Sequence, residues 1–358
     1  MIQLTQMMKK IIIHSISIAS ARRCGRCLSL GLLLSGWQLA DAGAIIVAAA
    51  NSTAESKRRA DLVCDGKDDQ VELLASFTRA SRVKTVFERN PATLEATECF
   101  AGHSVEWLPG DYHLSETLTI PDAEDCVIQA EGTRFQYSGE KGDAIVLQGM
   151  SRCRYRFGTV FSSSEGAALR VQPTENMPAL MSIVSFTGLI GNNQKGIGLC
   201  VDSSVENVCT MRFEGTDIRG FDVGVLVADA RASRPDKPGS GKTDTNWYWF
   251  SYIRMCNTCI WEKRNGIDSG NWSVNVDASI PNSTAIRTAA NYGRWSVIMG
   301  TYSRDNTRAV ILDPGAGHNV IEVTPPIGLF APSEDRSGND SNVIMNALTP
   351  ATINRPGP

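Results

Sequence analysis

Residues 229–254 contain the side chains best suited to chemistry in this chain. Lys242 and Arg254 carry positive charge, Tyr248 offers a phenol and Asp244 offers a carboxylate. Removing a proton next to a sugar carboxylate requires a cation, a base and an acid, and Lys242, Arg254 and Tyr248 can fill these roles. Hydrolysis of a glycosidic bond instead requires two carboxylates at a suitable separation. We therefore take Arg254, Lys242, Tyr248 and Asp244 as the candidate catalytic residues.

A run of aromatic residues, WYWFSY, ends this stretch. In a β-strand, alternation places Trp247 and Trp249 on one face and Tyr248, Phe250 and Tyr252 on the other. We expect one set to be buried in a core and the other to be exposed. An exposed indole offers a flat apolar surface to a sugar ring, so Trp247 and Trp249 are candidate substrate-binding residues.

A second candidate surface combines Trp261 with Arg287, which follows 26 residues later. If the chain winds in coils of that length, their backbones lie about 4.8 Å apart on neighbouring strands. The guanidinium can then stack on the indole in a cation–π contact. Alternatively, the pair forms a platform for a sugar beside a positive charge, and simple packing of an exposed tryptophan is a third interpretation. Both residues join the substrate-binding candidates.

An internal repeat indicates how these residues are positioned. A short segment recurs in which a small residue is followed by an aliphatic residue, any residue, and usually another aliphatic residue. The first aliphatic positions are Ile145, Leu169, Leu199, Val225, Ile260, Ile286 and Val310. Their separations are 24, 30, 26, 35, 26 and 24 residues. These residues are predicted to point inward as one stacked ladder, and the longest step contains the insertion with the catalytic candidates.

This repeat predicts an all-β fold, a right-handed single-stranded parallel β-helix. Steps of 24–26 residues suit a coil of three short strands and three turns, whereas a β-sandwich has no reason to keep one register over seven segments. A helix over Asp68–Arg82 is predicted to cap the first coil, with Asp68 or Asp69 accepting its free amide hydrogens. The β-helix is predicted over residues 43–324. Residues 325–358, which are rich in proline, are predicted to form a tail or loose cap.

The first 42 residues are typical of a secretory signal peptide. Basic residues precede a short apolar run from Cys27 to Trp37, and Ala40-Asp41-Ala42 offers a cleavage site. The alternative is an uncleaved anchor or an N-terminal core helix. These residues carry a net charge of +4, which leaves −7 on the remaining chain. This acidic composition argues against nucleic acid as a partner, because nonspecific binding relies on neutralising phosphates.

Eight cysteines lie beyond the predicted signal peptide. Cys99, Cys126 and Cys153 are spaced by 27 residues each, which predicts that they stack on successive coils. An exported chain with this number of cysteines permits disulfides, although the sequence cannot choose the pairs. Cys256 and Cys259 form a single CxxC motif, which we interpret as buried thiols or a local disulfide rather than a metal site.

Two segments resemble the N-terminal region of pectin-lyase-like β-helix proteins. Residues 60–72, ADLVCDGKDDQVE, match the family pattern in which a DG…DD turn leads into a capping helix. Residues 105–114, VEWLPGDYHL, match the strand and turn that open the first coil, with Gly110 expected in the left-handed conformation. The resemblance covers about a third of the chain and implies architecture rather than activity. The catalytic motifs of polygalacturonase-like and pectate-lyase members do not occur in the sequence.

The sequence leads to two functional hypotheses. The first is a secreted, periplasmic or cell-surface β-helix that binds or cleaves an extracellular polysaccharide, such as an acidic uronate glycan, by lyase or hydrolase chemistry. The alternative is a non-catalytic surface, adhesion or structural module. Polysaccharide is the expected partner, and stable membrane insertion is not expected after signal removal. No cofactor or metal ligand set is predicted; a requirement for calcium and the oligomeric state are left open.

Overall fold

The computed structural model describes residues 44–80, 82–85, 98–228, 243–263, 268–302, 305–325 and 332–346. These residues form a right-handed parallel β-solenoid, as the repeat predicted. Two helices, α1 (Ala54–Arg59) and α2 (Gln70–Ala80), lie near its N-terminal end. No helix in these described ranges is long and apolar enough to span a bilayer. The predicted signal peptide falls outside them.

Short strands make up the rest of the regular structure. In chain order they are β1 (Ile45–Ala48), β2 (Leu62–Val63), β3 (Arg82–Thr85), β4 (Glu98–Ala101), β5 (Ser104–Trp107), β6 (Gly110–Leu114), β7 (Leu118–Ile120), β8 (Ala123–Glu124), β9 (Val127–Tyr137), β10 (Ile145–Leu147), β11 (Met150–Ser151), β12 (Arg154–Ser162), β13 (Ala167–Val171), β14 (Ala179–Leu180), β15 (Ile183–Ile190), β16 (Ile197–Asp202), β17 (Val208–Cys209), β18 (Arg212–Arg219), β19 (Val223–Ala228), β20 (Thr243–Asp244), β21 (Trp247–Arg254), β22 (Thr258–Glu262), β23 (Asn271–Ala278), β24 (Thr284–Thr288), β25 (Arg294–Tyr302), β26 (Arg308–Leu312), β27 (Val320–Thr324), β28 (Glu334–Asp335) and β29 (Val343–Asn346).

The strands assemble into three sheets that run along the solenoid. Sheet 1 has 13 strands in the order β2-β1-β5-β9-β12-β15-β18-β21-β23-β25-β27-β29, with β6 also pairing with β9. Sheet 2 has nine, in the order β28-β26-β24-β22-β19-β16-β13-β10-β7, and sheet 3 has seven, in the order β20-β17-β14-β11-β8-β4-β3. The pair β3–β4 is antiparallel, and the other pairs named here are parallel.

The predicted inward ladder is confirmed in sheet 2. We call the first aliphatic residue of each repeated segment its repeat marker. Each repeat marker pairs with the next, from Ile145 with Leu169 through to Ile286 with Val310. Leu118 extends the ladder by one coil towards the N-terminus. All of these side chains are fully buried in one continuous core. Stacking one aliphatic residue per coil therefore removes every marker from water and fixes the register.

The N-terminal cap is confirmed, with shorter bounds than predicted. Helix α2 inserts Leu73 and Phe77 into the core. Of the two predicted capping residues, Asp68 accepts the hydroxyl of Ser115 with its side chain. The other is Asp69, whose side chain does not cap the helix either. Its two carboxylate oxygens instead accept the amides of Gly66 and His113, at 2.9 and 2.7 Å. Asp69 therefore ties the start of the helix to the first coil.

Gly110 is required for a reason that the sequence did not reveal. It does not adopt the expected left-handed conformation, since its φ is not positive. A Cβ at this position would lie 2.6 Å from the Cβ of Ala49. The glycine therefore allows the close approach of two backbone segments rather than a special turn.

A column of left-handed residues marks the turn before each of several strands of sheet 1. It contains Asp125, Arg152, Met181, Thr210, Thr245, Tyr292 and His318, all with φ between 48° and 56°. Several of these turns bond directly to the next coil, as when the amide of Thr210 donates to the carbonyl of Asp244. Backbone bonds between coils stabilise a conformation that non-glycine residues otherwise avoid.

The described part of the C-terminal segment continues the coil. Strand β28 pairs with β26 in sheet 2, and β29 pairs with β27 in sheet 1. Residues 332–346 therefore add to both sheets, beyond residue 324, where the β-helix was predicted to give way to a tail or loose cap. The proline content that suggested a tail includes residues outside the described ranges.

Two of the three cysteines predicted to stack on successive coils do so. Cys126 and Cys153 occupy equivalent positions on neighbouring coils, because the residues that follow them, Val127 and Arg154, are paired. Cys99 does not join them, since its neighbour Phe100 pairs with Ala123. Cys256 and Cys259 are both buried thiols, as one of our two interpretations of the CxxC motif expected.

Candidate functional site

The outer face of sheet 1 displays the two tryptophans of β21. Trp247 is 46% exposed and Trp249 is 59% exposed, whereas Tyr248 and Phe250 between and beside them are buried. The alternation predicted for this strand is therefore confirmed over its first half. Trp247 lies in register between Arg212 and Asn271 of the neighbouring coils, and Trp249 lies between Glu214 and Ser273.

Tyr252 departs from the predicted alternation, because it is 49% exposed. The pairing of β21 with β23 shifts by one residue between Phe250 and Ile253. This β-bulge places two consecutive residues, Ser251 and Tyr252, on the outside. A single extra residue thus returns Ile253 to the core and adds a third exposed aromatic side chain.

Two adjoining concavities lie beside the tryptophans, and together we call them the sheet 1 groove. The first has a volume of about 370 Å³ and is lined by Glu131, Arg156, Ser185, Thr187, Glu214 and Ser251, among others. The second has a volume of about 650 Å³ and is lined by Met181, Ile183, Thr210, Trp247, Asn271 and Ser273, among others. Arg212 and Trp249 belong to both.

The two parts of the groove differ in chemistry. In the first part, Arg156 pairs with Glu131 at 3.3 Å, and Arg212 pairs with Glu214. The guanidinium of Arg212 also lies 5.9 Å from the centre of the Trp249 ring. The second part is more apolar, because the exposed Met181 faces it together with Trp247. The groove therefore combines hydrogen-bonding groups with flat apolar surface.

Tyr248, predicted as a catalytic residue, lies in the core. It is 1% exposed and stacks between Phe213, at 5.2 Å, and Trp272, at 3.9 Å between ring centres. Trp272 in turn stacks on Trp295. Burial also raises the pKa of the Tyr248 phenol far above its ordinary value. Its placement supports a role in packing: although Tyr248 borders the second concavity, almost none of its surface is open to a ligand.

Arg254 lies at the end of β21, beyond the groove. Its Nε and Nη2 atoms each donate to a carboxylate oxygen of Asp217 at 2.9 Å. The hydrogen bond with Asp217 raises the pKa of the guanidinium further above its ordinary value. Arg254 is therefore a fixed cation and not a proton acceptor.

Among the described catalytic candidates, Asp244 does not lie beside Arg254. Asp244 lies in β20 of sheet 3, in register with Cys209, and so occupies another face of the coil. Lys242 lies outside the described residues, as does most of the charged insertion. The structure thus separates Tyr248, Arg254 and Asp244 rather than bringing them into one cleft.

Trp261 and Arg287 form the predicted cation–π contact, but on the outer face of sheet 2. They are paired on adjacent strands, and the Arg287 guanidinium lies 4.7 Å from the indole centre. Lys263 lies 4.1 Å from the same ring, and Arg287 is also held by Asp313 at 2.7 Å. This tryptophan is half-buried. The four substrate-binding candidates are therefore divided between two sheets.

One group of potential metal ligands occurs within the described ranges. Cys64, Asp69 and Glu72 bring a thiol and two carboxylates within 4.8 Å of one another. Both oxygens of Asp69 already accept backbone amides of the cap, as described above. We therefore assign these residues to the cap.

Comparisons with protein-family models, with curated proteins and with solved structures found no match to this chain. The sheet 1 groove must therefore be interpreted from its own geometry.

Several residues of the groove were missed at the sequence level, notably Arg212, Met181 and Asn271. The repeat marker identified sheet 2, whereas these residues lie in sheet 1 or in the turn before it. A register for sheet 1 would have revealed Arg212 and Asn271, because both pair with Trp247. No strand register would have pointed to Met181, because this exposed residue lies in a left-handed turn.

Proposed function

We propose that this protein binds an extracellular polysaccharide along the sheet 1 groove. The observation that carries the proposal is the pair of exposed tryptophans, Trp247 and Trp249, on one strand beside two adjoining concavities. Alternate residues of a strand are about 6.6 Å apart, so each indole can contact a different part of a chain-like ligand.

Leaving these two rings in water has a cost. Fully burying a large apolar side chain gains roughly 1.5–3 kcal/mol, and the free protein forgoes about half of this at each position, because the indoles are 46% and 59% exposed. Exposed apolar groups beside a concave polar surface are typical of a binding site. A polysaccharide suits this surface, because the apolar faces of its rings can stack on indoles while its hydroxyl groups form hydrogen bonds.

The polar residues of the groove support the same ligand class. Arg156, Glu131, Arg212 and Glu214 supply charged donors and acceptors, and Ser185 lies between Arg156 and Glu214 in the register of the sheet. The small serine leaves a depression between longer side chains. Hydroxyl groups can exchange hydrogen bonds with all of these side chains.

The sequence resemblance supports an extracellular setting for this binding. The segments quoted from residues 60–72 and 105–114 are similar to pectin-lyase-like proteins, and the N-terminal residues resemble a signal peptide. On this proposal, the mature chain is exported and meets its polysaccharide outside the cell. Whether it also cleaves that polysaccharide is decided by the experiment below.

The test measures binding of the purified protein to immobilised uronate polymers and to neutral polysaccharides. Replacing both tryptophans, Trp247→Ala with Trp249→Ala, is expected to weaken binding at least tenfold. Trp261→Ala is the matched control, because it removes the same side chain from the outer face of sheet 2. It should change the dissociation constant by less than about twofold.

Two results would contradict the proposal. One is a failure of every polysaccharide to bind, which would favour an adhesion or structural module. The other is equal binding by the double variant and the wild type. The same samples are assayed for new reducing ends and for absorbance from unsaturated ends, and the appearance of either would add cleavage to binding.

A further inference from the structure

A polar column lies inside the first coils, at the start of the strands of sheet 1. It consists of His103, Cys126, Cys153 and Ser182, each on a different coil. The backbone confirms the alignment, since the amide of Val127 donates to the carbonyl of His103 and the amide of Arg154 donates to that of Cys126, both at 2.9 Å. The amide of Cys153 donates to the hydroxyl of Ser182 at 2.9 Å.

The two cysteines of this column lie side by side on neighbouring coils. Cys126 and Cys153 are neighbours in register on paired strands, which places their Cα atoms about 4.8 Å apart. Disulfides in proteins join residues whose Cα atoms are roughly 4.4–6.8 Å apart. The spacing required for a covalent link is therefore present before any bond forms.

The surroundings of the pair are isolated from solvent. Cys126 and Cys153 are 0% and 1% exposed. The Cys126 sulfur lies 3.0 Å from Nδ1 of His103, and His103 packs against Phe77 of helix α2 at 4.4 Å between ring centres. Two buried polar atoms next to the pair, Nε2 of His103 and the phenol oxygen of Tyr155, have no hydrogen-bond partner.

We propose that Cys126 and Cys153 are a modification site, at which an intramolecular disulfide joins the coils of β9 and β12 beneath the N-terminal cap. The oxidant is a small disulfide such as oxidised glutathione. This proposal does not depend on polysaccharide binding.

The reaction consists of two thiol–disulfide exchanges. One cysteine loses its proton and attacks a sulfur of glutathione disulfide, so that a mixed disulfide forms and the first glutathione leaves as a thiol. The second cysteine loses its proton and attacks the protein sulfur of that mixed disulfide. The Cys126–Cys153 bond then forms and the second glutathione leaves as a thiol. The two cysteines are oxidised, and one glutathione disulfide is reduced to two glutathiones.

Burial determines when this exchange takes place. A folded chain shields both thiols from a molecule as large as glutathione disulfide. The exchange therefore belongs to folding, before helix α2 and the neighbouring coils close over the column. Once formed, the bond is shielded from reductants in the same way. We accordingly expect it to survive mild reduction of the native protein and to break when the chain is unfolded.

Peptide mapping tests the proposal on the unaltered chain. The protein is refolded with a mixture of oxidised and reduced glutathione, then denatured and alkylated without reduction. The expected digest contains a peptide pair linked through Cys126 and Cys153, while Cys256 and Cys259 serve as internal controls and are alkylated. Full alkylation of both Cys126 and Cys153, or their linkage to other cysteines, would overturn the proposal.

Thermal unfolding gives an independent measure. The oxidised wild type is expected to unfold on the order of 5 °C above the fully reduced wild type, because the disulfide closes a loop and restricts the unfolded chain. Cys126→Ala and Cys153→Ala should each abolish this difference between oxidised and reduced samples. Cys259→Ala, a substitution of another buried thiol, should preserve it. An unchanged difference in the Cys126 and Cys153 variants would assign it to another pair.

Discussion

On the outer face of sheet 1, Trp249 is open to solvent and lies 5.9 Å from one guanidinium, that of Arg212. On the outer face of sheet 2, Trp261 is half-buried and has cations at 4.1 and 4.7 Å. Arg287 is further held by Asp313. A tryptophan and an arginine therefore leave an indole surface open to a ligand on sheet 1, whereas on sheet 2 the same residue types pack against each other. The exposure of the indole and the number of cations packed on it distinguish a candidate binding residue from a packed one, since both arginines also pair with a carboxylate.

The inner face of sheet 1 provides a reference for this comparison. Trp272 is almost fully buried and lies in a continuous stack between Tyr248 and Trp295. We expect Trp272→Ala to lower the free energy of unfolding by about 3–5 kcal/mol, because it leaves a cavity in the core. Chemical denaturation measures this. Trp249→Ala, the exposed control on the same sheet, should change stability by less than about 0.5 kcal/mol.

A buried acid beside this stack makes stability depend on pH. Glu262 is the last residue of strand β22, and its side chain points inward and is fully buried. Its oxygens accept hydrogen bonds from Ser269 and Thr288, at 2.9 and 2.6 Å. Burial raises its pKa from an ordinary value of 4.5 to about 8.

The direction in which stability changes with pH depends on the protonation of Glu262 in the folded and unfolded chains. Between pH 4.5 and pH 8 the folded chain keeps a proton on Glu262 that the unfolded chain has lost, so stability falls as pH rises through this window. Glu262→Gln removes the charge and keeps polar groups for both hydroxyls. Its stability relative to wild type should rise by a few kcal/mol from pH 4.5 to pH 8 in denaturation experiments. A constant difference across this range would show that Glu262 is ionised in the folded protein.

Trp261→Ala sharpens the comparison between the two outer faces. We expect this substitution to lower stability by roughly 1–2 kcal/mol, since it removes contacts with Arg287 and Lys263 as well as partly buried surface. Denaturation of Trp261→Ala and Trp249→Ala under the same conditions measures the difference. Equal stability losses would show that the two tryptophans are packed alike.

The smallest effect is expected at Arg254. Although two hydrogen bonds join it to Asp217, both side chains are partly exposed. An ion pair of this kind contributes about 0.2–1 kcal/mol, so Arg254→Ala should change the denaturation midpoint only slightly and less in high salt. A loss comparable to that of Trp272→Ala would show that this pair has a larger structural role than its exposure suggests.

The fold was more predictable than the site, for a physical reason. A solenoid repeats the same burial requirement on each coil, so Ile145, Leu169 and Val310 all carry the signal of one inward position. A binding surface has no such repetition. Arg212 is brought to Trp247 by the register of sheet 1, which the sheet 2 marker did not establish. The bulge at Tyr252 and the stacking of Tyr248 likewise depend on neighbouring coils that local alternation does not describe.

The column of left-handed turns has a consequence for how such a chain can change length. Because Arg152, Met181 and Thr210 occupy the same turn position on successive coils, removing one whole coil would rejoin equivalent points and keep inner and outer faces unchanged. Deleting a single residue within a strand would exchange the two faces beyond that point. Insertions and deletions in this protein should therefore be tolerated in units of one coil or at the corners, and the groove would then shift along the solenoid by a single strand spacing.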